Sequence, residues 1–162
     1  MPKHQPSYSC CYYLEDFIDP RKAKYIINEC VAELRKLQRT SVLEFDAIAC
    51  RGLSGLLIAP QIAVRLEKSL IVVRKGEDCH SSNMVEGDSA TLRYIIVDDL
   101  IATGSTVRAM HREIGKFAPQ AKCMGVLQAY YFSSKKADSR AEKFTTELTN
   151  KLEQYKAEEA KK

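Results

Sequence analysis

Tyr94-Ile95-Ile96-Val97-Asp98-Asp99-Leu100-Ile101-Ala102-Thr103-Gly104-Ser105-Thr106 is the stretch whose reading decides the fold. Four apolar residues form a buried strand, two adjacent carboxylates end it, and a turn of small residues leads into a helix over Ser105 to Phe117. One acid at such a place is explained by capping the next helix. Two in a row cannot both cap, and placing them together costs repulsion, so the pair points to a binding role. The loop's backbone N–H groups and the helix N-terminus attract a phosphate. The carboxylates accept hydrogen bonds from vicinal hydroxyls. Together they describe a pocket for a sugar phosphate.

Upstream, the same grammar repeats. Phe45 to Ala49 reads as a buried strand, Arg51-Gly52-Leu53-Ser54-Gly55 as a turn, and Leu56 to Glu67 as a helix with Leu57, Ile58, Ile62 and Leu66 inward. Leu70 to Val73 is a second strand that ends on Arg74-Lys75. Asp19-Pro20 opens a helix, an N-cap acid followed by proline at the first helical position, and Ala23, Ile26, Ile27, Cys30, Val31, Leu34 and Leu37 make its apolar stripe. Downstream, Cys123 to Tyr130 is a further strand. Strands alternating with helices predict an α/β fold, a parallel twisted sheet flanked by helices with right-handed crossovers. Sites in such sheets form at the C-terminal ends of the strands, where the motif turns fall.

At 162 residues the chain is expected to form one domain with a real core. Residues 1–132 carry the α/β pattern, including an N-terminal helix and a small hood. Residues 133–162 form a charged extension, predicted helical from the stripe Phe144, Leu148, Leu152 and Tyr155. No run resembles a signal peptide or a membrane span, so a cytoplasmic protein without membrane contact is expected. The six cysteines lack any C-x-x-C spacing, and Cys79-His80 has no second pair at zinc-site spacing, so reduced thiols are expected. The net charge of +4 suits a polyanionic small substrate and does not call for nucleic acid.

The strand–acid–acid–Thr-Gly-x-Thr segment resembles the phosphoribosyl pyrophosphate (PRPP) signature of type I phosphoribosyltransferases, and the likeness extends over roughly Asp19 to Phe132. The resemblance implies that the 5-phosphate sits over the amides of Ala102, Thr103, Gly104, Ser105 and Thr106. It implies that Asp98 and Asp99 hold the ribose hydroxyls and a hydrated Mg2+. It also implies a pyrophosphate loop at Cys50, Arg51 and Gly52, with a cis peptide at Cys50–Arg51, and pyrophosphate-facing cations at Arg74 and Lys75. His80, Ser81 and Ser82 are expected in a mobile loop covering the site. A homodimer and a reaction between PRPP and a nucleobase follow from the same likeness, with Asp98, Asp99, Arg51 and Lys75 as catalytic candidates.

Ala102, standing where hypoxanthine and guanine enzymes carry an acid, together with Arg51-Gly52 and Val73-Arg74-Lys75, resembles the adenine branch. Gly76 to Arg93 is shorter than that branch's catalytic loop. Orotate enzymes share much of the pattern, and a non-catalytic PRPP or nucleotide sensor on the same fold is a further reading. Stacking faces for a base are sought at Tyr8, Tyr12, Tyr13 and Phe17, or at Tyr130, Tyr131 and Phe132; either set serves equally as core.

Overall fold

Alternation along the strands decides which helix packs where. In a computed structural model of the chain, which describes residues 7–11, 14–76, 83–133, 144–145, 154, 157–158 and 160–161, two central strands lie side by side. These are β1 (Ala47–Arg51) and β4 (Arg93–Asp98), paired in parallel with Ala47 opposite Tyr94 and Ala49 opposite Ile96. Ile48, Cys50, Ile95 and Val97 face one layer, while Ala47, Ala49, Tyr94 and Ile96 face the other. Both faces are therefore apolar, and each needs a cover.

The first face is covered by α2 (Pro20–Arg39) and α3 (Gly52–Leu66), preceded by the short α1 (Glu15–Ile18). Asp19 caps α2 as its sequence demands, its carboxylate accepting from the Arg21 amide at 2.9 Å, with Pro20 next. Ile26, Ile27, Cys30 and Leu34 then pack against Ile58, Ile62 and the strands. The opposite face is covered by α4 (Ser105–Phe117) through Val107, Met110 and Ile114.

The sheet runs β3-β2-β1-β4-β5-β6, with β2 (Ser69–Val73) and β5 (Lys122–Gln128) parallel to their inner neighbours. The edge strands β3 (Val85–Glu86) and β6 (Phe144–Thr145) are antiparallel, so the sheet is mixed and not wholly parallel as the sequence suggested. An antiparallel neighbour needs no crossover helix, unlike a parallel one. At Phe144 the expected helix is replaced by β6, where an aromatic followed by threonines suits a ladder. Leu148, Leu152 and Tyr155 lie outside the described residues, as does the candidate loop of His80, Ser81 and Ser82.

Three local expectations also shift. The turn over 51–55 does not exist: β1 runs straight into α3, with Gly52 at φ +68° making the reversal in one residue. No peptide bond among the described residues is cis, so the Cys50–Arg51 bond is trans and Gly52 alone redirects the chain. The last long strand stops at Gln128, and Ala129–Phe132 winds into a 3-10 turn. Phe17 and Phe132, sought as stacking faces, are buried core residues, whereas Tyr130 and Tyr131 are half-buried with rings edge to face. No disulfide joins the described cysteines: Cys30, Cys50 and Cys123 are buried, and Cys10 and Cys11 are exposed.

The central ladder sets stability. Ile95→Ala, emptying a fully buried site between β4 and the α2–α3 layer, is expected to lower the unfolding free energy by about 2–5 kcal/mol in urea titrations. Val64→Ala, at an exposed point of α3, should change it by no more than about 0.5 kcal/mol.

Candidate active site

Strand order places the site. From β1 the chain crosses through α3 to β2 on one side, and from β4 it crosses through α4 to β5 on the other. The connections after β1 and β4 therefore leave the sheet on opposite faces, and a crevice opens between the C-terminal ends of these two neighbours. The residues at the ends of these strands are Arg51 of β1 followed by Gly52, Arg74 and Lys75 after β2, and Asp98 of β4 followed by Asp99.

Asp98 and Asp99 are both buried, at 6% and 7% exposure. The Asp99 amide donates to Asp98 Oδ1 at 3.0 Å, which locks the first carboxylate at the strand end. Burial, then the neighbouring Asp99, push the Asp98 carboxyl up to about 7, and the Lys75 ammonium pulls against that rise. A cation arriving here would relieve the repulsion, so the donor set fits Mg2+. Among the described residues no group of three or more His, Cys, Asp or Glu side chains could hold a metal. Such an ion would thus take most of its ligands from substrate oxygens and water, with Asp98 and Asp99 as the protein's share.

Beyond the acids, the chain wraps a hollow of about 110 Å3 lined by Asp98 and by every residue from Leu100 to Val107. Gly104 stands at the N-cap of α4 with φ +73° and offers no capping side chain. Thr103 Oγ1 instead meets Ser105 Oγ at 3.1 Å and accepts from the Ser105 amide at 3.3 Å. The predicted phosphate-loop residues Ala102, Thr103, Gly104, Ser105 and Thr106 are therefore gathered around one concavity at a helix N-terminus, the arrangement that binds anions.

The cationic wall is more selective than the sequence suggested. The Lys75 side chain lies directly over Gly52, where a Cβ would come within 2.8 Å of Nζ. Arg51 is half-buried and its Nε donates to the Arg74 carbonyl at 3.3 Å, fastening the β1 and β2 ends together. Arg74 points elsewhere, with its guanidinium paired to Glu86 on β3 at 3.0 Å. The Cys50 side chain belongs to the core under α2 and α3, and burial followed by the Asp98 charge pushes its thiol up to about 12. Only the Cys50 backbone can serve the loop.

Three residues in this neighbourhood escaped the sequence reading. Gln128 accepts from the Ile101 amide at 3.3 Å, Glu86 holds Arg74, and Arg108 donates from Nη1 to the Thr103 carbonyl at 3.2 Å. Each acts through register or helix phase, and none forms part of a compact motif. A larger hollow of about 400 Å3 over the start of α2, lined by Asp16, Asp19, Lys22, Tyr25 and Ser133 among others, contains none of the strand-end residues.

The phosphoribosyl transferase domain model matches residues 22–158. The chain belongs to that family. It is 33% identical over 113 residues to an adenine phosphoribosyltransferase of Bifidobacterium longum subsp. infantis, covering 60% of this chain and 56% of that protein. It is 31% identical over 78 residues to an orotate phosphoribosyltransferase of Archaeoglobus fulgidus, covering 44% and 42%. The chain thus spans about half the length of these two relatives. In structure it is similar to the Saccharomyces cerevisiae adenine phosphoribosyltransferase, with a TM-score of 0.53 at 21% identity over 69% of each chain. That likeness concerns the fold.

Gly52→Ala would force a Cβ onto Lys75 and require a left-handed backbone of alanine. It is expected to displace the ammonium and weaken binding of inorganic pyrophosphate by about tenfold, read by calorimetry, as a lost charge-assisted contact would. The pH dependence has a definite sign. Because the folded carboxyl of Asp98 titrates near 7 against an ordinary 3.8, the folded state holds the extra proton between those values. Its contribution is therefore full below about pH 4, declines as pH rises to about 7, and is flat above. Asp98→Asn removes this decline, so the difference between the two melting curves should narrow steadily over that window as pH falls. A constant difference would show that Asp98 titrates normally.

Proposed function

We propose that the protein transfers the phosphoribosyl group of PRPP to a nucleobase, with an adenine-like purine as acceptor, yielding a nucleoside 5'-monophosphate and pyrophosphate. The observation that carries this reading is the meeting, in one crevice, of the Asp98–Asp99 pair, the 102–106 hollow and Lys75 over Gly52. One end of the substrate is an anion and the middle is a diol. The other end is a leaving group that gathers negative charge. The end of β4 and the loop after it offer carboxylates and amides, and the ends of β1 and β2 offer the cations.

In the proposed reaction a ring nitrogen of the base forms a bond to the anomeric carbon as the bond to pyrophosphate oxygen breaks; the electron pair leaves with pyrophosphate, and the nitrogen's proton is lost to the departing pyrophosphate or to water. The chain supplies no nucleophile. The 102–106 amides fix the 5-phosphate, Asp98 and Asp99 orient the ribose hydroxyls, and Lys75 and Arg51 face the departing charge. When bound between substrate and the acids, Mg2+ would offset pyrophosphate charge.

The adenine preference is supported by the 33% identity to the Bifidobacterium protein and by Ala102, standing just before Thr103-Gly104 where hypoxanthine and guanine enzymes carry an acid. Orotate is the competing acceptor, supported by the Archaeoglobus relative. A homodimer belongs to the same proposal. Leu53, Leu56 and Val64 are exposed apolar residues along α3. A cytoplasmic setting accords with the exposed free thiols of Cys10 and Cys11, and no described helix is long and apolar enough to cross a membrane.

Pyrophosphate release from PRPP with Mg2+, tested separately with adenine, hypoxanthine, guanine, xanthine, orotate and uracil, decides the matter. Release with adenine alone is the expected result, and release with orotate alone would replace the acceptor. Silence with every base, alongside calorimetric PRPP binding, would turn the reading to a sensor.

A further inference from the structure

The acidic pair and the phosphate hollow must keep a fixed separation, because one rigid sugar phosphate is to span both. Their connection, Leu100 to Gly104, belongs to no helix or strand. Its far end is fastened from α4, where Arg108 donates to the Thr103 carbonyl and Thr103 and Ser105 share a hydroxyl contact. Its near end is fastened from β5. Gln128, the last residue of that strand, stands directly opposite Asp98 in the parallel ladder and is 7% exposed. Its Oε1 accepts from the Ile101 amide at 3.3 Å. Two residues later the Tyr130 amide donates to the Asp99 carbonyl at 2.9 Å. The end of β5 thus grips the chain on both sides of Leu100.

We propose that Gln128 is a positioning residue for the sugar-phosphate site, holding the 102–106 loop at its working distance from Asp98 and Asp99 through the Ile101 amide. The inference rests on the phosphoribosyl-transfer reading for the identity of the ligand, but not for the tether itself. A buried amide side chain at the end of an apolar strand is costly unless its polar atoms are engaged. Val126 and Leu127, the two residues before it, are fully buried and apolar, so the polar choice at 128 requires a local reason. The Tyr130 bond uses main-chain atoms and survives any substitution at 128, which makes the Gln128 bond the removable half of the grip. Without it the Ile101 amide has lost its protein acceptor, and the loop is free to follow solvent at its near end.

Gln128→Met keeps the length and volume of the side chain and removes the acceptor, while Gln128→Glu keeps an oxygen in the same place. Hydrogen exchange on the ligand-free full chain is the first readout. The Met variant should lose protection across 101–106 while β1 and α3 stay as in the wild type, and the Glu variant should retain it. A packing role for Gln128 predicts the reverse, since methionine fills a core better than a buried acid. Calorimetry with PRPP and Mg2+ is the second readout, with Gln128→Met expected to bind about five- to tenfold more weakly, the size of one lost hydrogen bond. In steady state that loss should fall mainly on KM for PRPP, not on kcat.

Unchanged loop protection in the Met variant would overturn the tether. Changed protection with PRPP affinity equal to wild type would overturn its role in substrate positioning. Failure of the wild type to bind PRPP would sink the phosphoribosyl reading and with it that role, while exchange would still decide the tether. Should Gln128→Met fail to fold, Gln128→Asn is read in the same two ways, because its amide falls one methylene short of Ile101.

Discussion

A carboxylate kept out of water at the end of a fully buried strand is the constraint on which the rest of this structure depends. Asp98 follows three fully buried apolar residues and is itself almost covered, as is Asp99 beside it. Burial opposes its charge, a second acid opposes it again, and the sum is a carboxyl lifted to about 7. What offsets this is arranged around it: the Asp99 amide at 3.0 Å and Lys75 above Gly52. The site is left short of positive charge, which a cation would supply. The same burial lifts the Cys50 thiol to about 12, which removes a neighbouring sulfur from any competition as nucleophile or metal ligand.

Topology turns that local strain into a usable site. Because the crossovers from β1 and β4 part to opposite faces, the start of α3 and the start of α4 both stand at the rim of one crevice. Neither helix carries a side-chain cap at its first residue, Arg51 and Gly104 occupying those places. Helix N-termini normally satisfy their free amides with such a cap or with water. At α4 the Thr103 hydroxyl accepts from the Ser105 amide, and under the proposed reaction the other first-turn amides of the two helices would receive a phosphate at each end of one sugar. Glycine is needed at both thresholds for related reasons: Gly52 and Gly104 adopt φ of +68° and +73°, and a side chain at 52 would meet Lys75.

How much of this could be read from residues alone depended on how local the cause was. Helix α4 has the boundaries its sequence predicts, Ser105–Phe117, because a Gly N-cap and an apolar stripe are both local signals. Asp19 and Pro20 were legible for the same reason. The onset of α3 was not, since Arg51-Gly52-Leu53-Ser54-Gly55 has the composition of a turn, and only the φ of Gly52 shows that one residue suffices. A short strand within Gly76 to Arg93 was legible, and β3 lies there, but its antiparallel direction and the whole of β6 were not, because two-residue strands carry no periodicity. Gln128 and Glu86 were invisible as site residues because their partners, Ile101 and Arg74, are set by strand register across the sheet. The phenylalanines at 17 and 132, legible either as stacking faces or as core, belong to the core.

The division of labour between these parts accounts for similarity to both adenine and orotate enzymes. Strand ends, crevice and loops address only what the substrates of such relatives would share under the proposed chemistry, a phosphate, a diol and a leaving pyrophosphate. Preorganised amides and paired acids at a sheet edge are insensitive to which heterocycle approaches the anomeric carbon. Base choice must then come from groups outside the ladder, and the half-buried Tyr130 and Tyr131 stand next to Asp99 through the Tyr130 amide. A change in those groups costs the sheet little, because they lie beyond the last paired residue of β5. Selection for a different base can therefore act on the 3-10 turn and the N-terminal segment while Asp98, Lys75 and the 102–106 loop stay fixed by the packing beneath them.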